Sequence, residues 1–81
     1  MKYIMLETKS GLKLPFKFHK FINHSDMFDQ CKMVAFQSGL GYCKLVSAGF
    51  VDKNGKPYGR SETLNIDSNK DDRAALAGEP Q

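Results

Sequence analysis

The residues best equipped for chemistry lie in one short run, Tyr58-Gly59-Arg60-Ser61-Glu62-Thr63. Arginine carries a planar fork of donors that matches phosphate or carboxylate. Ser61 and Thr63 add hydroxyls, Gly59 lets a ligand or a second backbone come close, and Tyr58 offers a ring on which a base can stack. The run therefore predicts an anion site. A plainer account competes with it: an exposed edge strand bearing an Arg60–Glu62 surface pair, which is worth little. The second candidate is His24-Ser25-Asp26. It has the letters of a catalytic triad, but triad members are assembled by a fold and are not neighbours in sequence. Ser25 reads as a helix N-cap and Asp26 as a first-turn acid suited to the helix dipole. His24 precedes the positive end of that helix, where exposed N–H groups receive anions and an imidazole adds a donor. The candidate ligand-binding set is Tyr58, Gly59, Arg60, Ser61, Thr63, His24 and Asp26, with no catalytic residue among them.

Two His and two Cys invite a zinc reading, which their spacing does not support. His19 and His24 are five apart, Cys31 falls on the apolar face of a helix, Cys43 is alone on a strand, and no C-x-x-C pair exists. Buried thiols are the expectation, with no metal and no cofactor. There is no Walker loop, no G-x-G-x-x-G and no nucleophile elbow, so a non-enzymatic protein is expected. Phe16-Lys17-Phe18-His19-Lys20-Phe21 interleaves aromatic and basic groups as a single-strand nucleic-acid surface would. Strand alternation sends the rings and the lysines to opposite faces, which favours core aromatics with solvated lysines.

Positioning these residues requires a scaffold, and its outline is legible. A short apolar run from Tyr3 to Leu6 ends at Thr8, and Lys9-Ser10-Gly11 is turn chemistry. Leu12, Leu14, Phe16 and Phe18 then recur with period two, so a β-hairpin is predicted, with Pro15 confining its second strand to a sheet edge. Met27, Phe28, Cys31, Val34 and Ala35 repeat at helical spacing from a Ser25 cap to a stop at Gly39. Met33 and Phe36 widen the apolar stripe of this helix, which suits a better core or a face for self-association. Residues 42–51 read as a central strand. It places Cys43, Leu45 and Val51 on one face and Tyr42, Val46, Ala48 and Phe50 on the other. Asn54-Gly55 marks a hairpin, residues 58–66 are the return strand, and Ser68 caps a short helix that stops at Gly78. The predicted fold is α+β in ββαββα order. A four-stranded antiparallel sheet carries the main helix on one face, with a short C-terminal helix, as a single domain over residues 1–78 followed by a frayed end at 79–81. The sheet face away from the main helix is expected to be open to ligand, solvent or a second copy.

At 81 residues the chain can bury only a small core, and stabilisation by self-association is a common answer to that limit. Two cysteines cannot form a disulfide framework, which suggests reduced thiols in a cytoplasmic setting. The apolar run at the start is broken at Glu7, unlike a signal peptide or membrane span. Charge is uneven. Residues 1–60 carry ten Lys/Arg against four Asp/Glu, a net +6, whereas residues 61–81 carry two against five, a net −3. A basic body favours anionic partners.

The combination of Met1-Lys2-Tyr3-Ile4-Met5-Leu6-Glu7, Asn23-His24-Ser25-Asp26-Met27, Val46-Ser47-Ala48-Gly49-Phe50-Val51 and Tyr58-Gly59-Arg60-Ser61-Glu62-Thr63-Leu64 resembles short proteins encoded by phages and prophages. The resemblance spans nearly the whole chain. It implies a viral, anti-defence context in the host cytoplasm, in which small proteins act by binding. Arg60, Ser61, His24 and Asp26 are the positions that match the recurring features. The leading expectation is a homo-oligomer that sequesters a small phosphorylated ligand, a nucleotide signal of host antiviral defence, with an oligomer interface as its pocket. The alternative is an inhibitor that binds a host defence protein through the sheet face or edge. A nucleic-acid binder ranks third, because the net charge of +3 is modest.

Overall fold

Two strands of opposite periodic faces and one amphipathic helix suffice to start the architecture. The computed structural model describes residues 1–78, and the frayed end expected at 79–81 lies outside the described residues. Strands β1 (Lys2–Glu7) and β2 (Lys13–Phe18) form the first hairpin, in register from Lys2 opposite Phe18 to Glu7 opposite Lys13. Helix α1 (His24–Ala35) runs into a π turn at Phe36–Leu40. Strand β3 (Lys44–Val51) returns antiparallel to β1, and β4 (Pro57–Tyr58) completes a sheet of order β2-β1-β3-β4. Pro15 therefore lies on an edge strand, where a missing N–H costs nothing. Strands β5 (Arg60–Ser61) and β6 (Ile66–Asp67) form a separate two-stranded hairpin. A 3-10 turn at Lys70–Asp72 leads into α2 (Arg73–Leu76). The fold is α+β, with a four-stranded antiparallel sheet, a main helix and a short C-terminal helix.

Several local expectations change. A bulge in β3 sets Met5 opposite Ser47 but Leu6 opposite Leu45, leaving Val46 as the extra residue. The bulge breaks the strict alternation predicted for this strand. Cys43, Leu45 and Ala48 all join the cluster under α1, with Ile4, Leu6, Phe18 and Cys31. Val46 and Val51 share the opposite cluster with Tyr3, Met5, Ala75 and Leu76. That second cluster covers the sheet face expected to be open: the C-terminal turn folds back over it, and Tyr3 and Met5 are fully buried. A sheet this small gains a second layer of burial instead of offering a bare surface.

The return strand expected over 58–66 is broken after two residues. Gly59 has φ +73, and a Cβ there would meet the Phe50 ring at 3.0 Å, so the chain turns away from β3 at the one residue that permits it. Ser61 then accepts the Leu64 N–H at 3.2 Å, and Asn65 adopts φ 53, which closes a tight turn over residues 61–65. Asn23, not Ser25, occupies the N-cap of α1, with Met27 N–H bonded to the Asn23 carbonyl. Asn69, not Ser68, caps the C-terminal turn by accepting the Asp71 N–H at 2.9 Å.

Candidate functional site

The start of α1 and the β5–β6 hairpin meet over the end of the sheet. Between them lies a cleft of about 330 Å³ lined by Lys2, Asn23, His24, Phe50, Arg60, Glu62 and Thr63. Lys2 and Phe50 come from paired positions on β1 and β3, whose register sends both side chains to the α1 face. Asn23 and His24 come from the helix entry, and Arg60, Glu62 and Thr63 from the hairpin.

Three of the sequence-nominated residues, His24, Arg60 and Thr63, therefore line one cleft although 36 to 39 positions separate His24 from the other two. The other four are placed differently. Tyr58 is exposed and stacks on Phe50 with ring centroids 5.7 Å apart and planes 28° apart, so it extends the aromatic wall from outside. Gly59 supplies the turn. Ser61 is fully buried, its hydroxyl turned to Thr63 at 3.5 Å and to the Leu64 N–H, so it shapes the loop and does not face a ligand. Asp26 is exposed in the first turn of α1 and does not line the cleft.

Arg60 is held by its own hairpin. Nη2 donates to Asn65 Oδ1 at 2.6 Å, Nη1 lies 3.7 Å from Glu62 and Nε 3.3 Å from Asp67. Both carboxylates are highly exposed, at 83% and 81%, so water screens these pairs. Nε is within ion-pairing distance of Asp67 but out of hydrogen-bond alignment, and among the described residues its buried N–H has no hydrogen-bond partner. Lys2 Nζ donates to the Ile22 carbonyl at 3.0 Å, a neutral acceptor.

His24 is a wall of the cleft more than a ligand. It is buried, and its Nε2 lies 2.9 Å from the Gly49 carbonyl; a carbonyl only accepts, so Nε2 carries the proton. The ring sits edge-on between Phe18 and Phe50, at 5.4 and 5.7 Å. Burial pushes its pKa below the ordinary 6.5, the Gly49 hydrogen bond opposes this, and the charge of Lys2 adds to the depression. A neutral imidazole tying α1 to β3 is the result. Gly49 itself has no room for a side chain, since a Cβ would lie 2.6 Å from the Tyr58 carbonyl oxygen.

Sequence reasoning missed Lys2, Asn23, Phe50 and Glu62 as cleft residues. The alternation of β1 and β3 would have placed Lys2 and Phe50 on the helix face, but only the pairing register puts them side by side. It also missed a buried polar cluster on the far side of the sheet. There Tyr3 Oη donates to Asp72 Oδ2 at 2.8 Å, the Ser47 hydroxyl donates to the same oxygen, and the Asn69 N–H donates to Tyr3 Oη at 3.2 Å. A serine within the apolar run of β3 was its sequence signal.

Among the described residues no group of three or more His, Cys, Asp or Glu is placed to hold a metal, and no helix is long and apolar enough to cross a membrane. The fold and cleft define a small α+β protein with a basic, aromatic-walled recess at the helix entry. Compared with protein-family models, curated proteins and solved structures, the chain matches none.

Proposed function

We propose that the chain is a non-enzymatic binding protein that holds a small phosphorylated ligand in the cleft between Lys2 and Arg60. One observation carries this reading. Two cations from distant segments converge on a single recess, and one of them keeps a buried Nε–H without a hydrogen-bond partner. A phosphate oxygen is a stronger acceptor for a guanidinium than a solvated carboxylate, because its charge is denser and the fork can be met by two oxygens at once. Glu62 and Asp67 are exposed enough to be displaced at little cost. Thr63 and Asn23 supply neutral hydrogen-bonding groups, and the Phe50–Tyr58 stack offers a flat surface for a base. Binding rather than turnover fits a cleft whose imidazole is already committed to a backbone carbonyl. With the resemblance to short phage proteins, the ligand is a nucleotide signal of host defence, and the activity is its sequestration in the host cytoplasm.

Native mass spectrometry of protein purified from infected cells, before and after denaturation, is the direct test. A small phosphorylated compound should be released from wild type and be missing from the Lys2→Ala/Arg60→Ala variant. Wild type that carries no such compound, and shows no calorimetric binding of nucleotides at millimolar concentration, refutes the reading. A second reading draws on β2, which among the described residues is paired only with β1. Its free edge suits strand addition by a host protein, and a stable heterocomplex without ligand in the same spectra would favour it. Affinity for nucleic acid that falls steeply with salt would point to the third class.

A further inference from the structure

The opposite end of α1 carries a feature that the cleft does not use. Met33, Phe36 and Tyr42 are 55%, 52% and 76% exposed, and together with Cys43, Asp29 and Lys32 they line a shallow groove of about 470 Å³. The rings of Phe36 and Tyr42 lie 5.0 Å apart. Val34 and Leu40 add exposed apolar surface nearby in sequence. Cys43 also packs against the cluster under α1, but Met33, Val34, Phe36, Leu40 and Tyr42 belong to neither core cluster. The sheet-facing stripe of α1 is made by Met27, Phe28, Cys31 and Ala35, and Met33 and Phe36 form a second stripe on a helix that needs only one.

We propose that this groove is the interface of a homodimer, occupied by the same groove of a second copy. Area is the first reason. An aromatic side chain presents about 200 Å², so Phe36 and Tyr42 at these exposures, together with Met33, display on the order of 350 Å² of apolar surface within the groove. A standard interface buries about 800 Å² on each partner, and homodimer interfaces are about 65% apolar, so the groove supplies about two thirds of the apolar area such a contact needs. Charge is the second reason. The groove carries one acid and one base, Asp29 and Lys32, paired at 3.4 Å, so its net charge is zero. A two-fold interface must be complementary to itself, and a balanced pair meets its own copy without repulsion. An anionic membrane or a nucleic acid would instead call for a basic border.

The interface stands independently of the ligand reading. From His24 to Phe36 the helix advances about 18 Å at 1.5 Å per residue, so the two clefts of the dimer remain outside the contact, each built from one copy. This differs from the expectation that an oligomer interface forms the ligand pocket.

Light scattering on size-exclusion fractions, from 1 to 200 µM loaded protein as about the range that brackets a micromolar dimer, tests the proposal. Wild type should move from the 9.1 kDa monomer towards twice that mass. Phe36→Glu should weaken dimerisation by about 30-fold or more, the loss typical of a central aromatic anchor. Tyr42→Glu, at the more exposed of the two groove rings, gives a second variant that the monomer fold tolerates, checked by an unchanged thermal transition. Tyr58→Glu, on the cleft side, should leave the mass unchanged. A monomer at every concentration overturns the proposal, as does a dimer that persists in both Phe36→Glu and Tyr42→Glu. Monomeric protein that sediments with phosphatidylcholine vesicles through this groove would also overturn it, by assigning the surface to lipid.

Discussion

Two polar clusters occupy the two sides of this molecule, and burial gives them opposite roles. On the α2 side, Asp72 accepts hydroxyl donors from Tyr3 and Ser47, and all three side chains are buried. On the cleft side, Arg60 faces Glu62, Asp67 and Asn65 near solvent. The first cluster holds the last turn onto the sheet, because groups removed from water must find partners within the protein or be left without any. The second contributes little to the fold, because its carboxylates are solvated and their pairs with Arg60 are screened, and that same weakness favours exchange for another anion. A charged side chain in a small protein is thus most free to serve binding where it matters least to stability.

The sharpest way to break this comparison is to remove Asp72. Asp72→Ala leaves the Tyr3 and Ser47 hydroxyls buried without an acceptor, and each orphaned group costs about 1–3 kcal/mol. A loss of about 3 kcal/mol is expected in urea unfolding, read as a lower midpoint at unchanged slope. That is a large share of the stability of a domain this size. A loss below about 1 kcal/mol would mean that the C-terminal turn is not held by this cluster.

His24 is a cleft side chain that is buried as a whole, so it should behave like the α2 side. His24→Ala removes the Gly49 hydrogen bond and the edge-on contacts to Phe18 and Phe50, and about 2–3 kcal/mol of destabilisation is expected. The pH dependence carries its own sign. The folded-state pKa lies below the unfolded 6.5, so the unfolded chain binds the proton more readily. The stabilisation is complete above pH 6.5 and is lost as pH falls through the folded value. Glu7, held below the ordinary carboxylate range by Lys13 and Lys44, contributes a separate loss only below about pH 4.5. Urea midpoints that stay flat from pH 7 down to about 5 would contradict a buried, neutral His24.

Tyr3→Phe should cost about 1–2 kcal/mol, since it leaves the Asn69 N–H without its acceptor and Asp72 with one donor fewer. Burial is the largest cause that pushes the Tyr3 phenol up to about 12 from 10, with Asp72 adding to the rise and the Asn69 N–H opposing it. The folded state holds this proton more tightly than the unfolded chain. Stability is therefore complete below pH 10 and declines between about pH 10 and 12, and the phenylalanine variant should lack that decline. An identical alkaline profile in both proteins would place the titration elsewhere.

How much of this was legible in the sequence follows from the range of the forces involved. The hairpin of β1 and β2, the edge position of Pro15 and, apart from the exposed Val34, the amphipathic stripe of α1 depend on local periodicity, and they stand in the structure. The bulge at Val46 was not legible, because it is set by what packs above and below β3 and not by the letters of β3 itself. Nor were the true caps Asn23 and Asn69. Ser25 and Ser68 have equal capping chemistry, and what accompanies the true caps is long-range: His24 bonds to Gly49, and the Asn69 N–H bonds to Tyr3, 66 residues away. Of the nominated site, Arg60, Thr63 and His24 converge because the hairpin folds onto the helix entry. Ser61 was misread because a hydroxyl beside a turn is as readily spent on the turn as on a ligand.

The smallest expected effect is also the most discriminating. Arg60→Ala and Asp67→Ala, alone and together, form a double-mutant cycle across a pair whose acid is highly exposed and whose cation is itself 41% exposed. The coupling should be below about 0.5 kcal/mol and should shrink further in about 1 M salt, where the screening length is about 3 Å. Coupling above about 1 kcal/mol would make Arg60 a clasp of the β5–β6 hairpin, and its charge would then belong to the fold, as that of Asp72 does. Weak coupling leaves the guanidinium free to exchange Asp67 for a phosphate. It also predicts that Asp67→Ala tightens phosphate binding while Arg60→Ala abolishes it, a sign difference that a purely structural pair cannot produce.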